Sequence, residues 1–284
     1  MKRNKILVAT ELDELSAKIT KFAVNLSAQM GESEVILLNI ILPVNPQTFT
    51  ITGETTIQST QDISVINDEL MKKHRLLAAE EATRLSTKRV KIRPVVSFND
   101  SKTDLNSYIN YYNAGLVVFG SRDEQSFFNQ IFGSDSEKLV RKVDYPSIIL
   151  KDEAGYSDIK KILVAIDVNE KDQSGLKDIE HFAKSINAKM QLLHVIIDER
   201  TAPDEAIEKL NNLAKDFELA NYSINVVNSD NLEDGIKGFV RKNNTDMIAA
   251  LSQGKGKIKN LIFGSSTQDI IKEIDKPVFV SKIN

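Results

Sequence analysis

Lys5-Ile6-Leu7-Val8-Ala9 returns, residue for residue, as Lys161-Ile162-Leu163-Val164-Ala165, an offset of 156 in a chain of 284 residues. An apolar run this short, bounded by polar residues, reads as a buried strand, and its return marks an internal duplication. Other segments keep the same order. Val35-Ile36-Leu37-Leu38-Asn39 resembles Met190-Gln191-Leu192-Leu193-His194 at an offset of 155. Ile131-Phe132-Gly133-Ser134 returns as Ile262-Phe263-Gly264-Ser265, and Tyr145-Pro146-Ser147-Ile148-Ile149 matches Lys276-Pro277-Val278-Phe279-Val280, both at an offset of 131. The falling offset places an insert of about 25 residues between the second and third strands of the first repeat. The division that follows is a first domain over 1–152, with the insert near 43–61, a linker over 153–158, and a second domain over 159–284.

Within each repeat, short apolar runs alternate with helical patterns. In the first, strands are expected over 6–10, 35–41, 90–96, 116–119 and 147–150. Helices are expected after the first strand, where Leu15, Ile19, Phe22, Ala23, Leu26 and Met30 share a face, and over 65–87, 104–113 and 134–143. The second repeat places its strands over 162–166, 190–195, 223–227, 247–251 and 278–281. Nearly all-apolar strands alternating with helices imply an α/β fold, with a doubly wound, parallel five-stranded sheet in each repeat. The insert alternates β-branched and polar residues on either side of Gly53, the pattern of a hairpin or of a polar loop.

Composition excludes several function classes. Lysine plus arginine number 37 and aspartate plus glutamate 40, a net charge of −3, so no basic nucleic-acid footprint is expected. Cysteine is absent, which removes disulfides, thiolate metal sites and thiol nucleophiles. No run approaches the roughly 20 apolar residues of a membrane-spanning helix. The expectation is a cytoplasmic protein. The three histidines, His74, His181 and His194, fall on separate elements. No nucleophile elbow, metal-spaced cluster or dinucleotide fingerprint is present.

Chemistry gathers where the strands end. The fourth strand of the first repeat leads into Gly120-Ser121-Arg122-Asp123, followed ten residues later by Gly133-Ser134. The second repeat has Leu251-Ser252-Gln253-Gly254, then Gly264-Ser265-Ser266. Glycine and serine opening a helix form an N-cap, or an anion site in which backbone N–H groups and the helix dipole face a phosphate.

These residues carry a resemblance. The chain resembles a tandem universal stress protein, whose nucleotide motif after the fourth strand is Gly, two residues, Gly, nine residues, Gly, then Ser or Thr. The resemblance covers essentially the whole chain outside the insert, and it implies the adenine nucleotide alpha hydrolase-like version of the α/β fold. It also implies an internal pseudo-dimer joined through the last strands, and possible further homo-oligomers. Each repeat departs once from the motif: Asp123 replaces the second glycine in the first repeat, and Leu251 the first glycine in the second. By resemblance, the acid ending the first strand meets adenosine; it is Asp167 in the second repeat and Glu11 in the first. By resemblance too, the second strand ends in His194-Val195 in the second repeat and Asn39-Ile40 in the first, and the backbone there, at Val195 and at Ile40, meets adenine.

What the resemblance implies is a stress-response protein without catalytic residues, binding ATP or another adenine nucleotide in domain 2 through Asp167, Val195, Gly254, Gly264, Ser265 and Ser266. Glu11, Ile40, Gly120, Gly133 and Ser134 form a weaker counterpart in domain 1. Mg2+ is left open, since a single carboxylate is a poor site. The alternative is a scaffold or regulator that acts through a protein partner and binds no nucleotide.

Overall fold

A computed structural model describes residues 5–44, 60–99, 104–121, 143–151, 158–169, 175–197, 202–253 and 275–283. The first repeat runs β1 (Lys5–Ala9), α1 (Glu14–Gln29), β2 (Glu34–Ile41), α2 (Thr60–Leu85), β3 (Lys91–Phe98), α3 (Leu105–Tyr112), β4 (Ala114–Ser121) and β5 (Ser147–Lys151). The second runs β6 (Lys161–Ala165), α4 (Leu176–Ser185), β7 (Lys189–Ile196), α5 (Pro203–Asp216), β8 (Tyr222–Asn228), α6 (Leu232–Asn243), β9 (Met247–Gln253) and β10 (Val278–Ile283). The helix expected over 134–143 falls outside the described residues except at Val143, and so does 45–59 of the insert.

The two five-stranded sheets are one. Strand order is β3-β2-β1-β4-β5-β10-β9-β6-β7-β8, ten strands in a row. Within each half every described pairing is parallel. The halves meet where β5 and β10 pair antiparallel, with Ile149 opposite Val278, Ile148 opposite Phe279 and Ser147 opposite Val280. This join lies at the last strands, where the family resemblance placed it, and it removes an exposed edge from each half.

The period-2 alternation of the strands builds a core on each face. Ile6, Val8, Val35, Leu37, Ile148 and Leu150 point to one face, with Ile162, Val164, Leu192 and Phe279 from the second half. Leu7, Ile36, Leu38, Val117, Ile149, Leu163 and Ile248 point to the other. The first face is covered by α1, α2, α4 and α5, the second by α3 and α6, so both cores run unbroken through the β5–β10 join. Phe182 of α4 stacks on Phe279 of β10 with ring centroids 4.6 Å apart.

Helix ends follow their caps. Asp13 starts α1 with a capping box, accepting from the Ser16 N–H at 2.8 Å while its own N–H donates to Ser16 Oγ at 3.0 Å. Asp104 caps α3, and Asn113 ends it in the left-handed region at φ 56°. The extra length of the first repeat goes partly into helix. The α2 helix has 26 residues, against 14 in its counterpart α5, and Thr60 and Gln61, assigned to the insert, open it. The Asn67 side chain holds the chain entering the insert: its Oδ1 accepts from the Val44 N–H at 2.8 Å and its Nδ2 donates to the Val44 carbonyl at 3.2 Å.

Candidate functional site

In each half the two central strands part company at their carboxyl ends. The β6–β9 ladder stops at Val164 opposite Ala249, while β9 continues alongside β10 as far as Gln253. Likewise β1–β4 stops at Val8 opposite Val118, and β4 continues alongside β5 to Ser121. This is the point where strand order reverses, and a doubly wound sheet opens a crevice there.

On one lip of the second crevice, Ile166 is buried and Asp167 is exposed. Asp167 Oδ1 accepts from the Asn169 N–H at 3.0 Å, a local turn that fixes the carboxylate beside the strand end. Lys209 of α5 braces the turn: its Nζ donates to Asn169 Oδ1 at 2.9 Å and pairs with Glu205 at 2.8 Å. Sequence reasoning missed Lys209. Its only signal was the i,i+4 pairing with Glu205, which any solvated helix can show.

Under the lip sits His194, buried, with Nδ1 2.9 Å from the Ile166 carbonyl. A carbonyl only accepts, so Nδ1 carries the proton. The first repeat keeps the link with a different side chain. Asn39 Nδ2 donates to the Thr10 carbonyl at 2.8 Å, which turns Asn39 Oδ1 toward His74 Nδ1 at 2.7 Å. His74 comes from the long α2 helix and is the donor in that contact. Burial holds its imidazole below the ordinary pKa, and Lys73 adds to the effect.

Val195 faces inward. A Cβ at Gly235 of α6 would lie 2.6 Å from Val195 Cγ1, so the valine side chain is committed to close strand–helix packing and only its backbone is available to a ligand. The next carbonyl, of Ile196, already accepts from the Ser229 N–H at 3.1 Å. Ile40 is half-buried against the second core face.

Gly120 has a packing role. A Cβ there would collide with Ile19 Cδ1 and lie 2.9 Å from Ile19 Cγ1 and 3.2 Å from Leu15 Cδ2. The end of β4 thus presses on α1, which begins at once after β1. The connecting turn is tight enough to hold Leu12 at φ 61°, with its N–H donating to Thr10 Oγ1 at 3.0 Å. Glu11 is exposed on this turn. Gly133, Ser134, Gly254, Gly264, Ser265 and Ser266 lie outside the described residues. Among the described residues, no group of three or more His, Cys, Asp or Glu could hold a metal ion.

A duplicated, doubly wound α/β chain with a crevice at each strand-order reversal is the class that fold and site define. The model of the Universal stress protein family matches residues 2–151 and again 158–282, and the chain belongs to that family, with its domain present twice. It is similar to universal stress protein Slr1230 of Synechocystis, 24% identical over 165 residues that make up 57% of this chain and 56% of that one, so the match spans about half of that relative. It is similar also to universal stress protein MJ0577 of Methanocaldococcus jannaschii, 25% identical over 43% of this chain and 94% of that one. The crystal structure of a universal stress protein from Archaeoglobus fulgidus covers all of both chains with a TM-score of 0.65 at 19% identity, a likeness of fold. No described helix is long and apolar enough to cross a membrane.

Proposed function

We propose that domain 2 binds an adenine nucleotide, ATP by the likeness of its motif, and that the protein is a cytoplasmic, non-enzymatic stress-response module whose nucleotide state is its signal. The observation that carries the proposal is the parting of β6 and β9 beyond Val164 and Ala249, with the exposed Asp167 carboxylate on the lip. A ribose hydroxyl can donate to that carboxylate, and adenine can use the backbone at Val195. The phosphates would then meet Gly254, Gly264, Ser265 and Ser266, where the sequence pattern leads to the expectation of a helix start and Lys255, Lys257 and Lys259 bring positive charge.

Domain 1 offers less. Gly120 is already required by its contact with Ile19, so its lack of a side chain needs no ligand to account for it. Asp123 adds a negative charge where the motif has glycine. The second reading is a scaffold or regulator that acts through protein partners, with neither pocket holding a nucleotide. Calorimetric titration with ATP separates the two. Gly264→Val should abolish binding and Gly133→Val should leave it nearly unchanged. Equal loss in both variants, or loss only with Gly133→Val, would place the nucleotide elsewhere. No binding by the unmodified protein would leave the scaffold.

A further inference from the structure

The ten-stranded sheet ends in β3 on one side and β8 on the other, and the two edges are built differently. Lys91 N–H donates to Ser33 O, and Asn99 N–H to Ile41 O, so the odd residues of β3 bond to β2 and the even ones turn their backbone groups outward. Pro94 holds one of these outward positions and removes its donor, while Lys91 and Arg93 place charge on the same strand. Proline and cations are the devices that keep an edge from pairing.

The β8 edge has neither. Met190 N–H donates to Asn221 O and Ser229 N–H to Ile196 O, so odd residues again bond inward. Tyr222, Ile224, Val226 and Asn228 turn their N–H and C=O groups outward, and among the described residues β8 pairs with β7 alone. The strand Tyr222–Asn228 contains no charged residue and no proline. Pro94 sits opposite Leu37, and Ile224 sits opposite Leu192, the same position in the duplicate. The block present on one edge is therefore missing from the equivalent place on the other.

We propose that β8 is an association edge, and that its occupant is the β8 strand of a second copy of this chain, antiparallel about a two-fold axis. About such an axis residues pair reciprocally and only the one on the axis meets its own copy; a strand without charge, as β8 is, brings no like charges together in either place. The chain already uses antiparallel edge pairing once, between β5 and β10. Outward groups of Tyr222 then meet those of Asn228, and Ile224 meets Val226. In this register Asn225 faces its own copy across the axis.

Sedimentation velocity of the full chain over a range of concentrations tests this. The unmodified protein should dimerise reversibly. Ile224→Pro moves the chain's own block from β3 to β8 and should yield a monomer with an unchanged circular dichroism spectrum. Because proline can also disturb the fold, Asn225→Lys and Asn225→Asp give an independent readout. Each alone should weaken the dimer, by on the order of tenfold, and an equimolar mixture should restore association. A monomeric unmodified protein overturns the proposal, including the case where the edge serves a strand from another protein. So does a dimer that survives both charge variants, or a mixture that associates no better than its components.

Discussion

Gln29, at the end of α1, is clamped to Ile159, the residue that leads into the second repeat. Its Nε2 donates to the Ile159 carbonyl at 2.7 Å and to the Ile186 carbonyl at 3.0 Å, while its Oε1 accepts from the Ile159 N–H at 3.3 Å. One side chain of the first domain thus satisfies backbone groups at two places in the second. Replacing Gln29 with alanine leaves those groups half-buried without partners, at a cost of about 1–3 kcal/mol. Urea unfolding followed by circular dichroism should show the loss, and a second transition should separate as the halves uncouple. An unchanged midpoint would mean that the β5–β10 join alone holds the halves together.

Gly120 should not tolerate even a methyl group. Ile19 is 3% exposed and Gly120 meets it at the heart of the α1–sheet contact, so Gly120→Ala forces a core side chain off its position. Overpacking of this kind costs about 1–3 kcal/mol. Thermal unfolding should report it as a lowered Tm, and Gly120→Ala combined with Ile19→Val should recover part of the loss. If the double variant is no more stable than the single one, the methyl clash is not the cause.

Glu81 should make the protein less stable as pH rises. It is buried between α2 and α1, where Thr20 Oγ1 donates to its Oε1 at 2.7 Å. Burial pushes its pKa above the ordinary carboxylate value of 4.5, and Asp13 adds to the rise. The Thr20 hydrogen bond and Arg84 pull the other way without cancelling it. The native state then holds the proton to higher pH than the unfolded chain does. The resulting stability is full below the unfolded value and is lost as pH climbs through the raised native one. Glu81→Gln keeps the acceptor for Thr20 and removes the titration. It should be more stable than the unmodified protein at neutral pH, with a flatter profile above pH 4.5 in denaturant titrations. Identical slopes in the two proteins would rule out this carboxyl.

Local features of the fold were legible in the sequence because they depend on neighbours. The KILVA strands, the alternation of apolar runs and helices, and the extent of the helix expected over 104–113 all lie within a few residues of what determines them. The side chains that complete the crevice were not legible. Lys209 reaches Asn169, His74 reaches Asn39, and Gly120 makes room for Ile19, each across a separation set by the tertiary fold. Val195 shows the same limit. Its place at the end of the second strand was legible, and β7 runs one residue further to Ile196, but the inward direction of its side chain depends on Gly235 in a helix that follows later. Family membership carried the motif; it did not say which glycine of that motif is also spoken for by packing.

The antiparallel join of β5 to β10 points the strands of the two domains in opposite directions, so the crevices open at opposite ends of the sheet. Two separate, identical subunits paired this way would have to carry every substitution at both ends. A single chain is released from that rule. His194 and Asn39, or Ile224 and Pro94, can diverge at equivalent places because each is inherited on its own, and the molecule acquires a distinguishable head and tail from what began as a two-fold repetition of one domain.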